Sequence, residues 1–589
     1  MSKTWKLLNE MTNRNTKPKT IGQIKTNDKL IEDPQLISQK FNDFFVNIGP
    51  DLANKIPASN KKPLDYLMGN YTNSMYLTPT NEYEISDIIA NLKNTQSKGH
   101  DNLPLKLVKA CGYELSPILA YLNNQSFLEG IFPDQLKIAK VIPIYKNDDP
   151  TLVSNYRPIS VLTHFSKISE KLVNSRLNKY IADNAILHSS QFGFREKLST
   201  ALALLKLVED ISSSMDDGNI TVGVFIDLAK AFDTVNHKIL LDKLSHYGIR
   251  GIVNNWFESY LTNRRQYVNL NNCKSSNMLI ECGVPQGSIL GPILFILYVN
   301  DLNSVSKILR SIMFADDTNL FLSGRNAADV ESRFNSELLS LTEWFQSNLL
   351  SLNVKKTAFI IFTNKKSVNI SILVNNLPIN QLKDTKFLGV IISSSLSWNQ
   401  HILVVLNKIS KTTGIISKVR HLVPSNLTRN LYLTLVEPYI GYCNLVWSRS
   451  EPTIQLDKIL KIQKKYCRLI TFSDFRAHSK PLFNQLKLLT VYEIYQSQLA
   501  VFMYHQTNNL LTNFRFTFHI NSSIHSHFTR QHDKIHIASC RTRKRQLTLV
   551  CQGPKLWNSL PATIKDSPSL NVFRRRMKLF LLSSQSVLK

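Results

Sequence analysis

The sequence predicts an α+β fold whose last third is helical and strongly basic. Three observations carry that expectation: short β-branched strands set between longer amphipathic helices in the middle of the chain, nearly continuous helical periodicity beyond residue 400, and a positive charge concentrated toward the C-terminus. At 589 residues the chain exceeds what one hydrophobic core organises, so several domains in series are expected. With 43% hydrophobic and 19% charged residues it reads as globular. No stretch reaches the roughly 18 apolar residues of a membrane span; the longest, 289–299, is interrupted by Gly291 and Pro292. The first residues, MSKTWKLLNEMTNRN, lack the apolar segment of a signal peptide, so the expectation is an intracellular protein, nuclear or cytoplasmic, with no membrane partner.

In chain order, residues 1–75 are polar and read as a leader packed on the domain after it, with one helical stretch beginning PQLISQKF. Helical spacing continues in EYEISDIIANLKN and LPLKLVKACGYELSPILAYLNNQSFLEG, and a strand comes next in IAKVIPIYK, 138–146. Two more helices are expected in 164–184 and from LSTALALLKLVED. The strand VGVFIDL, 222–228, precedes the helix HKILLDKLSHYG, and SIMFADDTNLFLSG, 311–324, is written like a tight hairpin. After the helix AADVESRFNSELLSLTEWFQSN come strands AFIIF, SILV and KFLGVII (386–392).

Seven cysteines without a CxxC pair fit reduced thiols in ordinary positions. His525, His527, His532, His536, Cys540 and Cys551 match no zinc-finger spacing, so a zinc site is not expected. The net charge of +28 points to a polyanionic partner. Beyond residue 400 there are 28 Lys and Arg against 7 Asp and Glu, a net +21 that leaves +7 for residues 1–400. These cations alternate with apolar residues, as in KILKIQKKYCRLI (458–470), which predicts folded helices with a basic face.

Asp227 falls near the end of a strand, and Asp316 and Asp317 fall at a hairpin tip 89 residues later. Taken singly, such residues are a helix cap and a solvated turn. A sheet that set the strand beside the hairpin would gather three carboxylates, the oxygen donors that a pair of magnesium ions needs for nucleotidyl transfer.

Longer patterns surround these residues. FIDLAKAFDTVNH, GVPQGSILGPILFILYVNDL, FADDTNLF, LSLNVKKTAFIIF and KFLGVIISSSLSWNQHI resemble, in order and spacing, motifs A to E of non-long-terminal-repeat (LINE-type, jockey/CR1-like) retrotransposon reverse transcriptases. SKGHDNLP, AKVIPIYK, NYRPIS and QFGFR resemble the finger motifs of that family, and LVEPYIGYCNLVW and GPKLWNSLP its thumb and C-terminal region.

The resemblance implies a right-hand polymerase: a linker or leader at 1–75, fingers with an N-terminal extension at 76–220, a palm with an antiparallel sheet at 221–400, a helical thumb at 401–500 and a basic, mainly helical region at 501–589. It implies an RNA-directed DNA polymerase that copies an RNA template from a DNA primer with deoxynucleoside triphosphates and two Mg2+ ions, or Mn2+ in their place. The alternative is a catalytically inactive or truncated relic that only binds RNA. The family's usual nucleases are not apparent, so target-site nicking by this chain is not expected.

Residue by residue, Asp227, Asp316 and Asp317 match the catalytic metal ligands, with the carbonyl of Leu228 a further ligand and Asp233 structural. Lys146 and Arg157 match triphosphate-binding finger cations, and Phe232 matches the ring that excludes a ribose 2′-hydroxyl. Gln286 and Gly287 match the loop that meets the incoming nucleotide, with Gly283 and Gly291 allowing close backbone approach. Lys356 matches a proton donor to pyrophosphate, with Lys355 beside it as the other register. Phe387, Leu388 and Gly389 match the primer grip. Lys461, Lys464, Lys465 and Arg468 share one side of a helix and are expected to bind nucleic acid while Ile459, Ile462 and Leu469 pack inward.

Overall fold

Residues 220–226, ITVGVFI, have the β-branched and apolar composition of a strand covered on both faces, and they form the middle of a five-stranded sheet. The structure is a computed structural model that describes residues 21–587 except 27–28, 366–367, 450, 512 and 525–530. Across the sheet the order is Asn380–Gln381, Ala358–Phe362, Ile220–Ile226, Asp317–Gly324 and Arg310–Phe314. The central strand runs antiparallel to both neighbours, with Thr318 opposite Ile226 and Ala358 opposite Phe225. One further step along the first register sets Asp317 beside Asp227.

The helices Thr200–Asp216 and Ala327–Ser347 bury apolar stripes against opposite faces of this sheet, through Leu204, Leu207 and Ile211 on one side and Phe334, Leu341 and Trp344 on the other. A second sheet pairs Ile138–Tyr145 antiparallel with Tyr156–Val161 and parallel with Arg265–Leu270. Four of its five strands were absent from the sequence expectation, which had only Ile138–Tyr145. Tyr156–Val161 carries Pro158, which argues against a strand, but it lies at the sheet edge where the missing N–H costs no ladder bond.

The helix Pro34–Ala53 packs on the second sheet through Phe41, Phe45, Tyr156 and Val268, which share a small separate core. The expected helix at 103–130 is broken at Cys111 into Leu105–Ala110 and Gly112–Glu129. KFLGVII, a strand by its apolar run and a hairpin by its resemblance to the primer grip, is the hairpin Asp384–Phe387 against Val390–Ser393, because Leu388 and Gly389 both have positive φ, 44° and 81°, and reverse the chain.

Beyond residue 398 the elements among the described residues are helices, as expected, with one isolated bridge between Ile520 and Ile535. Residue 500 lies inside the helix Val491–Thr507, which packs on both Leu549–Ser559 and Leu570–Val587, so the helices on either side of that position share one core. The C-terminal region is also anchored to the helix Thr200–Asp216, which packs on the five-stranded sheet. Arg545 Nη1 donates to the buried Glu209 Oε2 at 2.6 Å, and the backbone N–H of Thr542 donates to Asp216 Oδ1 at 2.6 Å. All seven cysteines are unlinked, with Cys540 and Cys551 Sγ atoms 3.0 Å apart. Among the described residues no helix is long and apolar enough to cross a membrane.

Candidate active site

Asp227 lies one residue past the central strand, where the chain leaves the sheet edge. It is held there by the loop before Ala358–Phe362: the N–H of Asn353 donates to the Asp227 carbonyl at 2.9 Å, and Asn353 Nδ2 donates to Asp227 Oδ2 at 3.0 Å. Leu228 bridges Leu352. Asn353 was not singled out in the sequence, where it reads as one more polar loop residue.

Asp316 and Asp317 reach solvent at the tip of the hairpin Arg310–Phe314 and Asp317–Gly324. Although exposed, both have carboxyls raised above the ordinary range, first by desolvation from the surrounding protein and then by like charge. Asp317 is pushed up to about 6, with Asp316 and Asp227 as the repelling neighbours. Repulsion from Asp227 also raises Asp316. This mutual repulsion places the three side chains in one electrostatic neighbourhood despite their separation in sequence. Opposing it, Lys146 lowers both carboxyls and Arg157 lowers Asp316.

The cations come from the second sheet and from the segment after Asp227. Arg157 is exposed in the strand Tyr156–Val161, paired across from Ile144, and Lys146 lies one residue beyond Tyr145. Lys230, missed in the sequence, donates to the carbonyls of Tyr156 at 3.2 Å and Ser154 at 3.3 Å and sits 5.6 Å over the Phe44 ring. Its ammonium is lowered from the usual lysine value, first by desolvation, against an opposing effect of Asp233; the positive charges of Lys146, Arg157 and Lys356 lower it further. Of the lysine pair at 355–356, Lys356 is therefore the one whose charge reaches this group.

Phe232 stacks on Phe295 with centroids 4.5 Å apart and meets Phe194 edge-on at 6.4 Å. Val284 N–H donates to its carbonyl at 2.9 Å, which ties it to the loop that carries Gln286. Gln286 itself is engaged: Nε2 donates to Asp233 Oδ1 at 2.8 Å, and its carbonyl accepts from Ser160 N–H at 2.8 Å. Burial pushes the Asp233 carboxyl up to about 6. At Gly287, φ is 129° and a Cβ would come within 2.5 Å of the Ser160 carbonyl oxygen, so a side chain would force this loop off the strand Tyr156–Val161.

At the turn 387–389, Phe387 is buried beneath the sheet with its ring 6.1 Å from Phe225, which leaves Leu388 and Gly389 as the accessible part. The Leu388 carbonyl accepts from Tyr442 Oη at 2.8 Å, a link from the helical region that sequence spacing could not reveal.

In the helix Ile454–Thr471, Lys461 and Lys465 are exposed while Lys464 and Arg468 are half-buried. Arg468 Nε donates to the Ala477 carbonyl at 2.9 Å. The inward face is corrected: Ile459 is buried as expected, but Gln463, Tyr466, Cys467 and Ile470 are buried with it, whereas Ile462 and Leu469 are half-buried.

Carboxylate oxygens on neighbouring elements are the donors a hard divalent cation takes, and a cation would relieve the repulsion that raises Asp316 and Asp317. Among the described residues no three His, Cys, Asp or Glu side chains are gathered tightly enough to hold a metal as they stand, and Asp227 Oδ2 is turned to Asn353. His525 and His527 lie outside the described residues.

The site thus sets a carboxylate pair at a hairpin tip and a strand-end aspartate within electrostatic reach of Lys146 and Arg157. Residues 144–392 match the family described as reverse transcriptase (RNA-dependent DNA polymerase). The chain is similar to the probable RNA-directed DNA polymerases from transposons X-element and BS of Drosophila melanogaster, 28% identical to each. Those matches cover 71% and 74% of this chain and 47% and 49% of the relatives. It is 26% identical over 72% of its length to the RNA-directed DNA polymerase from mobile element jockey of the same fly, covering 47% of that protein. These matches support a LINE-type reverse transcriptase. The chain spans about half the length of the curated relatives it matches.

Proposed function

We propose that this chain is the RNA-directed DNA polymerase of a LINE-type retrotransposon, extending a DNA primer along an RNA template with deoxynucleoside triphosphates. The observation that carries the reading is the neighbourhood of Asp227, Asp316 and Asp317, with Lys146 and Arg157 opposing them. In this reading the layout is a right hand: fingers from the second sheet and its helices, palm from the five-stranded sheet, thumb from the helices after residue 398, and a basic C-terminal region on the back of the palm.

Asp227, Asp316 and Asp317 would hold two magnesium ions, which when bound activate the primer 3′-hydroxyl and support the leaving pyrophosphate. Rotation of Asp227 away from Asn353 Nδ2 would free its second oxygen for that role. Arg157 grips the triphosphate through its planar fork, and Lys146 and Lys230 add point charges. Lys356 is placed to protonate the departing pyrophosphate. Phe232, backed by Phe295, occupies the space a 2′-hydroxyl would need. Leu388 and Gly389 seat the primer strand, and the exposed lysines of Ile454–Thr471 hold the duplex by phosphate contacts.

Extension of a labelled DNA primer on an RNA template, with magnesium and deoxynucleotides, tests this. Template-length product that disappears in Asp227→Asn supports it. RNA binding without extension under magnesium or manganese would favour the relic.

A further inference from the structure

The motif QFGFR supplies neither a carboxylate nor a triphosphate-binding cation to the site, yet the structure puts it against the hairpin. Residues 190–192 run along the hairpin's outer strand: Met313 N–H donates to the Ser190 carbonyl at 2.9 Å, and Phe192 N–H donates to the Met313 carbonyl at 2.8 Å. Gln191, 1% exposed, sends its side chain into the turn. Its Oε1 accepts from Gly193 N–H at 2.8 Å and from Ala315 N–H at 3.1 Å.

Ala315 immediately precedes the aspartate pair and has φ of 59°, a left-handed conformation that a residue with a Cβ adopts at a cost. A turn of this kind persists only where its surroundings over-determine it. Gly193 closes in from the same segment, and a Cβ there would collide with the Ala315 nitrogen.

Two features separate this from ordinary packing. Both groups facing Oε1 are donors, so the amide orientation is fixed by chemistry. Gln191 Nε2, in contrast, is buried with no partner among the described residues, a penalty that a hydrocarbon side chain would avoid. The segment closes on itself through Arg195 Nη1, which donates to the carbonyls of His188 and Gln191, and it then delivers Phe194 to the edge of Phe232.

We infer that Gln191 is a positioning residue of the polymerase site: its side-chain oxygen, fixed on the Ala315 N–H, holds the strained turn that presents Asp316 and Asp317. This rests on the proposed polymerase reading only for its consequence; the hold on the turn stands independently of it. One loop then serves two ends, setting the carboxylates through Gln191 and bracing the ring at Phe232 through Phe194.

The test uses the full chain and two variants. Gln191→Met keeps the length and removes the acceptor; Gln191→Glu keeps the acceptor. Hydrogen–deuterium exchange resolved to Ala315 should be roughly 3- to 10-fold faster in Gln191→Met, with Gly193 changing alongside it and amides elsewhere unchanged. Gln191→Glu should keep the protection of the unaltered chain. In single-nucleotide incorporation, Gln191→Met should lower kcat on the order of 10- to 100-fold and leave KM for the deoxynucleotide within about twofold, as misaligned carboxylates affect the chemical step more than binding. Unchanged exchange at Ala315 in Gln191→Met, or loss of protection in Gln191→Glu, overturns the inference. Faster exchange with kcat unchanged overturns the positioning role. If the unaltered chain does not polymerise while Ala315 loosens as expected, the polymerase function fails and the hold on the turn stands.

Discussion

Replacing Asp317 by Asn should stabilise the metal-free chain, although it would damage the site. A carboxyl raised from 3.8 to about 6 binds its proton more tightly in the folded chain than in the unfolded one. The folded state is therefore penalised above pH 6, and the penalty fades as pH falls from 6 toward 3.8. The shift of roughly two units corresponds to about 3 kcal/mol at most, but Asp317 is exposed, and solvent screening reduces this to about 1 kcal/mol. Asn removes the charge at constant shape, so in chelator at pH 8 the transition that unfolds the five-stranded sheet should rise on the order of 2 °C. At pH 5 roughly half of the difference should remain, and the two proteins should converge only below about pH 4. Magnesium should raise the transition of the unaltered chain and raise that of Asp317→Asn much less. Scanning fluorimetry with and without chelator measures both effects. A lower transition for Asp317→Asn in chelator, or equal magnesium shifts in the two proteins, would refute the reasoning.

Phe232→Val should admit ribonucleotides while deoxynucleotide incorporation persists, because it removes the ring stacked on Phe295 and no charge; unchanged sugar discrimination in a single-nucleotide assay would make Phe232 a packing residue. Tyr442→Phe removes the hydroxyl that binds the Leu388 carbonyl but keeps the ring, so product length per binding event should shorten while the first addition at saturating primer is unaffected; full-length product distributions would argue against a primer-seating turn. Neutralising Lys461, Lys464 and Lys465 to Gln should weaken duplex binding on all templates and flatten the slope of log affinity against log salt by up to about 2 to 3 units. Arg468 is left intact because its guanidinium already serves Ala477. Coincident salt slopes would remove the helix from the binding surface.

Much of this architecture was legible because local chemistry and global fold agree. ITVGVFI, AFIIF and the run around FADD are apolar and β-branched, and they form the sheet read from them. The C-terminal helices were readable from a 3.6-residue apolar period. The edge strand at Tyr156–Val161 was hidden by Pro158. At the site, each aspartate alone read as a cap or a turn residue, and the three stood out only together, through the longer motifs around them. The groups that orient them did not. Asn353 and Gln191 fall inside quoted motifs, but they are neutral polar residues whose partners lie 126 and 124 residues away, and the motifs do not reveal those partners. Lys230 is concealed by a left-handed backbone, φ 51°, that turns its side chain toward the carbonyls of Ser154 and Tyr156. The basic C-terminal region reads as a separate element by charge, yet Arg545 and Thr542 bind it to the helix Thr200–Asp216.

The central claim is that Asp227 and the pair at 316–317 make one catalytic site. Single-turnover addition of one deoxynucleotide to a DNA primer on an RNA template tests this most directly, comparing Asp227→Asn, Asp316→Asn and the double variant. Groups that act as a unit are strongly non-additive, so each single change should cost on the order of 10³-fold or more and the double change little beyond either. Near-normal addition by Asp227→Asn, or losses that multiply in the double variant, would contradict the account.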